Sequence, residues 1–111
     1  MDSGIIVKLQ NQKDFMWFSL KANAQSVYIL DSIVASFDKY EEGLFFPKKN
    51  LVYKNFVPNR WELHNGQGVI YGIAIFNKDL IDLIIIKNTP EYKKFIRLMK
   101  KNFTYSTKKS F

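Results

Sequence analysis

The sequence predicts an α+β domain: a two-layer sandwich in which a mostly antiparallel sheet of about five strands carries two helices on one face. Two observations support this class. Short apolar runs bounded by turn residues predict strands, and two segments with helical spacing complete the order strand, strand, helix, loop, three strands, helix. With 111 residues, 47% of them hydrophobic, the stretch 1–111 suffices for a single domain with its own core.

The first twenty residues predict two short strands that turn near 11–14. Ile5, Val7 and Leu9 alternate with other side chains, and the stretch 15–20 is again rich in residues that favour strands. Two antiparallel strands at the start of the sheet are therefore expected.

A helix from Ser26 to Gly43 is expected next. Apolar residues recur there at intervals of three and four, acidic residues fall on the other side, and Gly43 is typical of a helix end. The β-branched residues of this segment leave an alternative open, namely two strands around Asp31 and Ser32. The following stretch, Leu44 to Asn59, contains two prolines and several Asn and Lys residues, which predicts a long connection.

The second half of the chain begins with a predicted β-hairpin. An Asn-Gly pair within 65–68 separates two extended segments, Arg60 to His64 and Val69 to Phe76. A turn at 77–79 leads into Leu80 to Lys87, whose continuous apolar run predicts a central strand covered on both faces.

The last helix has several start signals. Thr89 is expected as the N-cap, Pro90 as the first helical residue, and Glu91 in the first turn, where its charge complements the helix dipole. The helix should run to about Asn102, and the tail from Thr104 to Phe111 is expected to fray.

The formal net charge of +7 is concentrated at the carboxyl end of the chain. Residues 87–111 hold eight cations and one acid, whereas residues 1–86 are neutral. A localised field attracts polyanions, while evenly spread charge mainly favours solubility. Five cations share an arc of about 120° on the final helix, opposite its apolar side. They are Lys93, Lys94, Arg97, Lys100 and Lys101. An ordinary solvated helix face is the alternative interpretation.

A second basic stretch, from Gly43 to Trp61, interleaves cations with aromatic residues and contains no acidic residue. Cations hold phosphates and flat rings stack on unpaired bases, so this mixture suits single-stranded nucleic acid or an RNA loop. The candidate binding residues are Lys48, Lys49, Tyr53, Lys54, Phe56 and Arg60. Alternatively, the aromatic side chains only anchor a long loop to the core.

The single histidine suggests a weak catalytic candidate. In an extended strand, Arg60, Glu62 and His64 point to the same side. Together they offer a base, an acid and a phosphate-binding group, which metal-independent RNA cleavage requires. The structural alternative is the solvent face of an edge strand with an ordinary ion pair.

Other classes of site are not expected. The chain has no cysteine, no glycine-rich phosphate loop and no cluster of metal ligands, so neither a metal nor a cofactor is predicted. Asp79 and Asp82 are expected to border a strand as solvated charges.

No apolar stretch is long enough to span a bilayer, and the amino-terminal residues do not have the order of a secretory signal, which favours a cytoplasmic location.

These patterns favour a small basic protein that binds RNA, single-stranded nucleic acid or a nucleoprotein complex, and they favour a binding module over an enzyme. The first alternative is an inhibitor or adaptor, of the kind that mobile elements encode, whose basic face binds an acidic protein partner or a partner that itself binds nucleic acid. The second is a metal-independent endoribonuclease.

Overall fold

The computed structural model describes residues 4–37 and 59–105. In chain order the elements are β1 (Gly4–Asn11), β2 (Phe15–Lys21), α1 (Ala24–Ala35), β3 (Asn59–His64), β4 (Ile70–Asn77), β5 (Leu80–Ile86), α2 (Glu91–Asn102) and β6 (Phe103–Tyr105). The six strands form one open sheet in the order β3-β4-β5-β2-β1-β6. Every pairing is antiparallel except that of β1 with β6. The predicted α+β class is confirmed.

The two helices and one face of the sheet enclose the core. Because successive side chains of a strand point to opposite faces, alternate residues of β2 and β5 are buried beneath the helices. The strand residues at the centre of this core are Met16, Phe18 and Leu20 of β2 and Ile81, Leu83 and Ile85 of β5. The helix residues that complete it are Val27, Leu30, Ile33 and Val34 of α1 and Phe95 and Met99 of α2.

Both predicted hairpins are present. Strands β1 and β2 turn at residues 12–14, and β3 and β4 turn at residues 65–69. In the second hairpin Leu63 pairs with Gly72 and His64 with Ile70, which leaves Tyr71 as the extra residue of a bulge. The buried Tyr71 ring lies with its centre 4.8 Å from that of Phe37, so the bulge joins this hairpin to the end of α1.

Strand β5 has the predicted central position, between β4 and β2. Its apolar run is not equally covered on its two faces, however. Ile81, Leu83 and Ile85 are fully buried beneath the helices, whereas Ile84 and Ile86 on the other face remain partly exposed. The second face of the sheet is therefore less completely covered than the sequence predicts.

Helix α1 begins and ends earlier than the predicted span from Ser26 to Gly43. The side-chain oxygen of Asn23 accepts a hydrogen bond from the Ser26 N–H at 2.9 Å and caps the first turn. At the other end, the N–H and hydroxyl of Ser36 both donate to the Ile33 carbonyl, at 3.1 and 2.6 Å. These bonds close the last turn at Ala35.

Two other expectations concern the same region. The alternative of two strands around Asp31 and Ser32 is wrong, because both residues lie within α1. Of the predicted connection from Leu44 to Asn59, only Asn59 falls within the described residues, and it begins β3.

Helix α2 ends at Asn102 as predicted, but its start differs. The Thr89 hydroxyl donates to the Ile86 carbonyl at 2.9 Å, and Pro90 occupies the N-cap position without a side-chain bond. The prediction of Thr89 as N-cap is therefore wrong. Beyond the helix, residues Phe103–Tyr105 pair with the start of β1 as a sixth strand that the sequence did not predict. Thr104 and Tyr105 thus belong to the sheet, and residues 106–111 lie outside the described ranges.

Within residues 4–37 and 59–105, no helix combines the length and the apolar character needed to cross a bilayer.

Candidate nucleic-acid interface

Helix α2 separates apolar from cationic side chains. Phe95 and Met99 are fully buried in the core, and Tyr92 and Ile96 pack against its edge. Because α-helical residues advance by about 100°, the side opposite Phe95 and Met99 must face solvent. The cationic ridge on that side consists of four exposed residues, Lys93, Arg97, Lys100 and Lys101.

Three members of the ridge have no acidic partner. In the part of the chain that the structure describes, no carboxylate lies within ion-pair distance of Lys93, Arg97 or Lys101. The one acid of α2, Glu91, instead accepts a hydrogen bond from the Asn65 amide at 3.3 Å, and so it contacts the β3–β4 turn. Within the described residues, therefore, no acid neutralises the charges of Lys93, Arg97 and Lys101.

Lys94 is the fifth predicted cation, and its environment differs from that of the ridge. Its ammonium group donates to the Ser36 carbonyl at 3.3 Å and lies 4.5 Å from the centre of the Phe37 ring. Ser36 is the C-cap of α1, where unpaired carbonyls carry partial negative charge. Lys94 therefore joins α2 to the end of α1.

A groove of about 250 Å³ separates the outer surfaces of the two helices. Tyr28 and Ser32 of α1 and the C-cap residue Ser36 line one side, and Leu98 and Asn102 of α2 line the other. Tyr28 is 59% exposed, the highest fraction among the large apolar and aromatic residues that the structure describes. Tyr28 is not among the candidate residues predicted from the sequence. An aromatic residue on the polar side of an amphipathic helix was the signal that could have identified it.

The basic-aromatic stretch is only partly described. Lys48, Lys49, Tyr53, Lys54 and Phe56 all lie outside the described residues. Trp61 is half-buried and packs edge-on against Phe76, with ring centres 5.1 Å apart. This side chain therefore belongs to the margin of the core.

Arg60 does not share a surface with the cationic ridge. On β3 it alternates with Trp61 and the fully buried Leu63, which belong to the helix-covered side of the sheet. Arg60 therefore projects from the opposite face, and the two predicted basic regions are not brought together at this residue.

The three weak catalytic candidates do lie side by side. A guanidinium nitrogen of Arg60 is 4.0 Å from one oxygen of Glu62, and the His64 Nε2 is 3.9 Å from the other. The His64 Nδ1 is 3.0 Å from the Gly68 carbonyl, which favours the tautomer with the proton on Nδ1. The side chains are 56, 45 and 36% exposed in chain order, so the trio lies on an open sheet edge and not in an enclosed cavity.

One acidic residue has a different environment from the one expected. Asp82 is not a solvated charge beside a strand but lies within β5, on the sheet face away from the helices. Its Oδ1 accepts hydrogen bonds from the Ser19 hydroxyl at 2.6 Å and from the Trp17 indole at 3.2 Å. In residues 4–37 and 59–105, neither Asp82 nor any other acid belongs to a group of three side chains that could hold a metal ion.

Comparisons with protein-family models, with curated proteins and with solved structures gave no match, so the function must be inferred from the chain's own geometry and charge.

Proposed function

We propose that this protein binds nucleic acid in the cytoplasm through the cationic ridge of α2, either as free RNA or single-stranded nucleic acid or within a nucleoprotein complex. The observation that carries the proposal is that Lys93, Arg97 and Lys101 are exposed on one side of a single helix without a carboxylate partner in the described part of the chain.

Neighbouring like charges on a helix repel one another at a cost of a few tenths of a kcal/mol per pair. A row of phosphates would relieve that repulsion and would release the counterions condensed on the nucleic acid. The basic-aromatic stretch, with Lys48, Lys49, Tyr53, Lys54 and Phe56, would add further phosphate and stacking contacts. Affinity should therefore fall steeply as salt is raised.

Charge reversal tests the proposal directly. The ridge variant changes Lys93, Arg97 and Lys101 to Glu. The matched control changes Lys8, Lys13 and Lys21, three exposed lysines of the β1–β2 region, to Glu. Each triple change lowers the formal net charge from +7 to +1, so only the position of the charge differs.

Binding of a fluorescent single-stranded oligonucleotide is then measured by anisotropy over a range of salt concentrations. Affinity falls with salt, and each lost phosphate contact reduces the magnitude of the negative slope of log affinity against log salt by about 0.7, so the slope of the ridge variant should be shallower by about 2. The affinity of the control variant and its salt dependence should stay closer to those of the unmodified protein. If the two variants weaken binding equally, a general charge effect explains the result and the proposal fails.

An acidic protein partner is the other outcome that this surface allows. An inhibitor or adaptor would form a complex with one protein that persists at a salt concentration where nucleic-acid binding has vanished. A pull-down from native lysate, with and without nuclease, separates the two cases. Partners that survive nuclease treatment and depend on the ridge would replace nucleic acid as the target.

Endoribonuclease activity is the second candidate function, and the juxtaposition of Arg60, Glu62 and His64 favours it. In such a reaction a base removes the 2′-hydroxyl proton, the 2′-oxygen attacks phosphorus, and the departing 5′-oxygen takes a proton from the acid. Arg60 would stabilise the charged phosphorane. RNA incubated with the protein in EDTA should be cleaved by the unmodified chain and not by His64→Ala. Absent or equal cleavage excludes the trio.

A further inference from the structure

We infer that the groove between α1 and α2 binds one unpaired nucleobase of the strand whose phosphates lie on the cationic ridge. The inference rests on the proposed function and adds to it a base-binding subsite with Tyr28 as the stacking residue. The groove measures about 250 Å³, which lies just below the range of sites for drug-sized ligands and suits a smaller, flat group.

Tyr28 is the first observation that supports a ligand. It is 59% exposed and lines the groove, and among the described residues it makes neither a hydrogen bond nor a ring contact. Tyr28, Ser32 and Ser36 follow one another at intervals of four residues, so they form one lip of the groove over about 12 Å. The ring at one end of this lip is therefore available to stack on a flat partner.

The chemistry of the lining favours a neutral aromatic heterocycle. Ile29 and Ile33 supply apolar surface from α1, and Leu98 supplies it from α2. The Asn102 amide donates one bond to the Leu98 carbonyl at 2.8 Å, which leaves its oxygen to accept from a ligand. Ser32 adds an exposed hydroxyl. No cation or acid belongs to the lining residues that the structure describes, so a bare phosphate would find no charge inside the groove.

Cations instead border the groove, where the phosphates attached to a bound base would lie. Leu98 is four residues after Lys94 and three before Lys101, so both lysines flank it on the surface of α2. The Lys94 ammonium also contacts Ser36, a lining residue, and this contact places positive charge at the end of the groove where Ser36 lies. An apolar slot with positive charge at its rim matches a nucleotide, which combines a flat base with an anionic backbone.

A duplex keeps its bases stacked and paired, so only a single strand or a loop could place a base in this groove. The subsite would therefore make the protein prefer single strands over duplexes, whereas the ridge alone would bind both through their phosphates.

The test compares a normal oligonucleotide with an abasic strand of equal length and charge. Tyr28→Ala should weaken binding of the normal strand by between about 5-fold and about 150-fold, the range for loss of one base–aromatic stack. It should leave binding of the abasic strand unchanged. Tyr28→Phe keeps the ring and should bind both strands like the unmodified protein. Val69→Ala truncates another exposed apolar side chain, at the β3–β4 turn, and is the control.

The ridge variant separates failure of this inference from failure of the proposed function. If the ridge variant loses binding of both strands but Tyr28→Ala binds the normal strand like the unmodified protein, the base subsite is excluded and the ridge stands. Equal loss on the normal and abasic strands also overturns the subsite. If the unmodified protein binds neither strand, the proposed function fails and the subsite fails with it.

Discussion

The ammonium group of Lys94 lies 4.5 Å from the centre of the Phe37 ring, so a cation from α2 covers an aromatic side chain just beyond the end of α1. The Phe37 ring in turn lies 4.8 Å from that of Tyr71 and 6.0 Å from that of Phe95. Lys94 thus contacts an aromatic cluster that joins both helices and the second hairpin. This contact gives Lys94 a structural role that Lys93 and Lys101 do not show within the described residues.

The first prediction separates that structural role from binding. Lys94→Met keeps the apolar stem but removes the charge, so we expect a loss of about 0.5–1 kcal/mol in unfolding free energy, measured by urea denaturation. Lys101→Met should change stability by less than about 0.5 kcal/mol, because Lys101 is exposed and unpaired within the described residues.

The same two variants should differ in the opposite direction in oligonucleotide binding. Lys101→Met removes a ridge charge and should weaken binding several-fold, whereas Lys94→Met should weaken it less. Equal stabilities together with equal losses of affinity would show that Lys94 belongs to the ridge after all.

The second prediction concerns Asp82, whose carboxylate accepts bonds from Ser19 and Trp17 on the partly exposed sheet face. Asp82→Ala would leave the hydroxyl of Ser19, a residue only 6% exposed, without its acceptor, and we expect a loss of about 1–3 kcal/mol in unfolding free energy. Asp82→Asn retains an acceptor oxygen in the same place and should lose less. Similar losses for the two variants in urea denaturation would contradict this account of the hydrogen bonds.

The sequence predicted the sheet better than the surface, and the reason is physical. Burial beneath the helices requires apolar side chains at alternate positions of β2 and β5, and the apolar, strand-favouring stretches that meet this requirement are visible without coordinates. The parallel pairing of β6 with β1 leaves no such pattern, because it joins a three-residue strand to residues almost a hundred positions away.

The candidate site was predictable in part for the same reason. The exposed side of α2 follows from its apolar side, so Lys93, Arg97, Lys100 and Lys101 could be placed from helical spacing alone. The contact of Lys94 with Phe37 does not follow from helical spacing, because it depends on where α1 ends and how α1 packs against α2. Likewise, the groove beside Tyr28 is a property of two helices together, and neither segment encodes it alone.

The third prediction uses a close approach of backbones in the sheet. A Cβ atom at Gly72 would lie 2.9 Å from the Ile84 carbonyl oxygen and 2.9 Å from the Ile85 Cδ1. Since the carbonyl belongs to the central strand, it cannot move without disturbing the pairing of β4 with β5. Gly72→Ala should therefore lower unfolding free energy by about 1–3 kcal/mol.

The matched control for that change is Gly66→Ala in the β3–β4 turn. There the nearest atom to an added Cβ would be the Phe37 carbonyl oxygen at 3.7 Å, an ordinary contact distance. We expect a change of less than about 0.5 kcal/mol. If both alanine variants unfold at the same urea concentration as the unmodified protein, the close approach at Gly72 is relieved without cost and the prediction is wrong.

The fourth prediction concerns alkaline pH. Burial raises the pKa of Tyr92 above its usual value of 10.0, and it does the same for Tyr105. A phenol with a raised pKa in the folded state is protonated in both states below about pH 10, so its contribution to stability is complete there. As pH rises from about 10 through the folded-state pKa, the unfolded chain loses its proton before the folded chain does, and the native state is destabilised.

Tyr92→Phe removes this linkage, so the unfolding free energy of the variant should fall less steeply above pH 10 than that of the unmodified protein. Lysines also lose their protons there, but they are common to both proteins, so the difference in slope reports the Tyr92 phenol. Parallel curves in urea denaturation at a series of alkaline pH values would show that Tyr92 ionises as readily in the native state as in the unfolded chain.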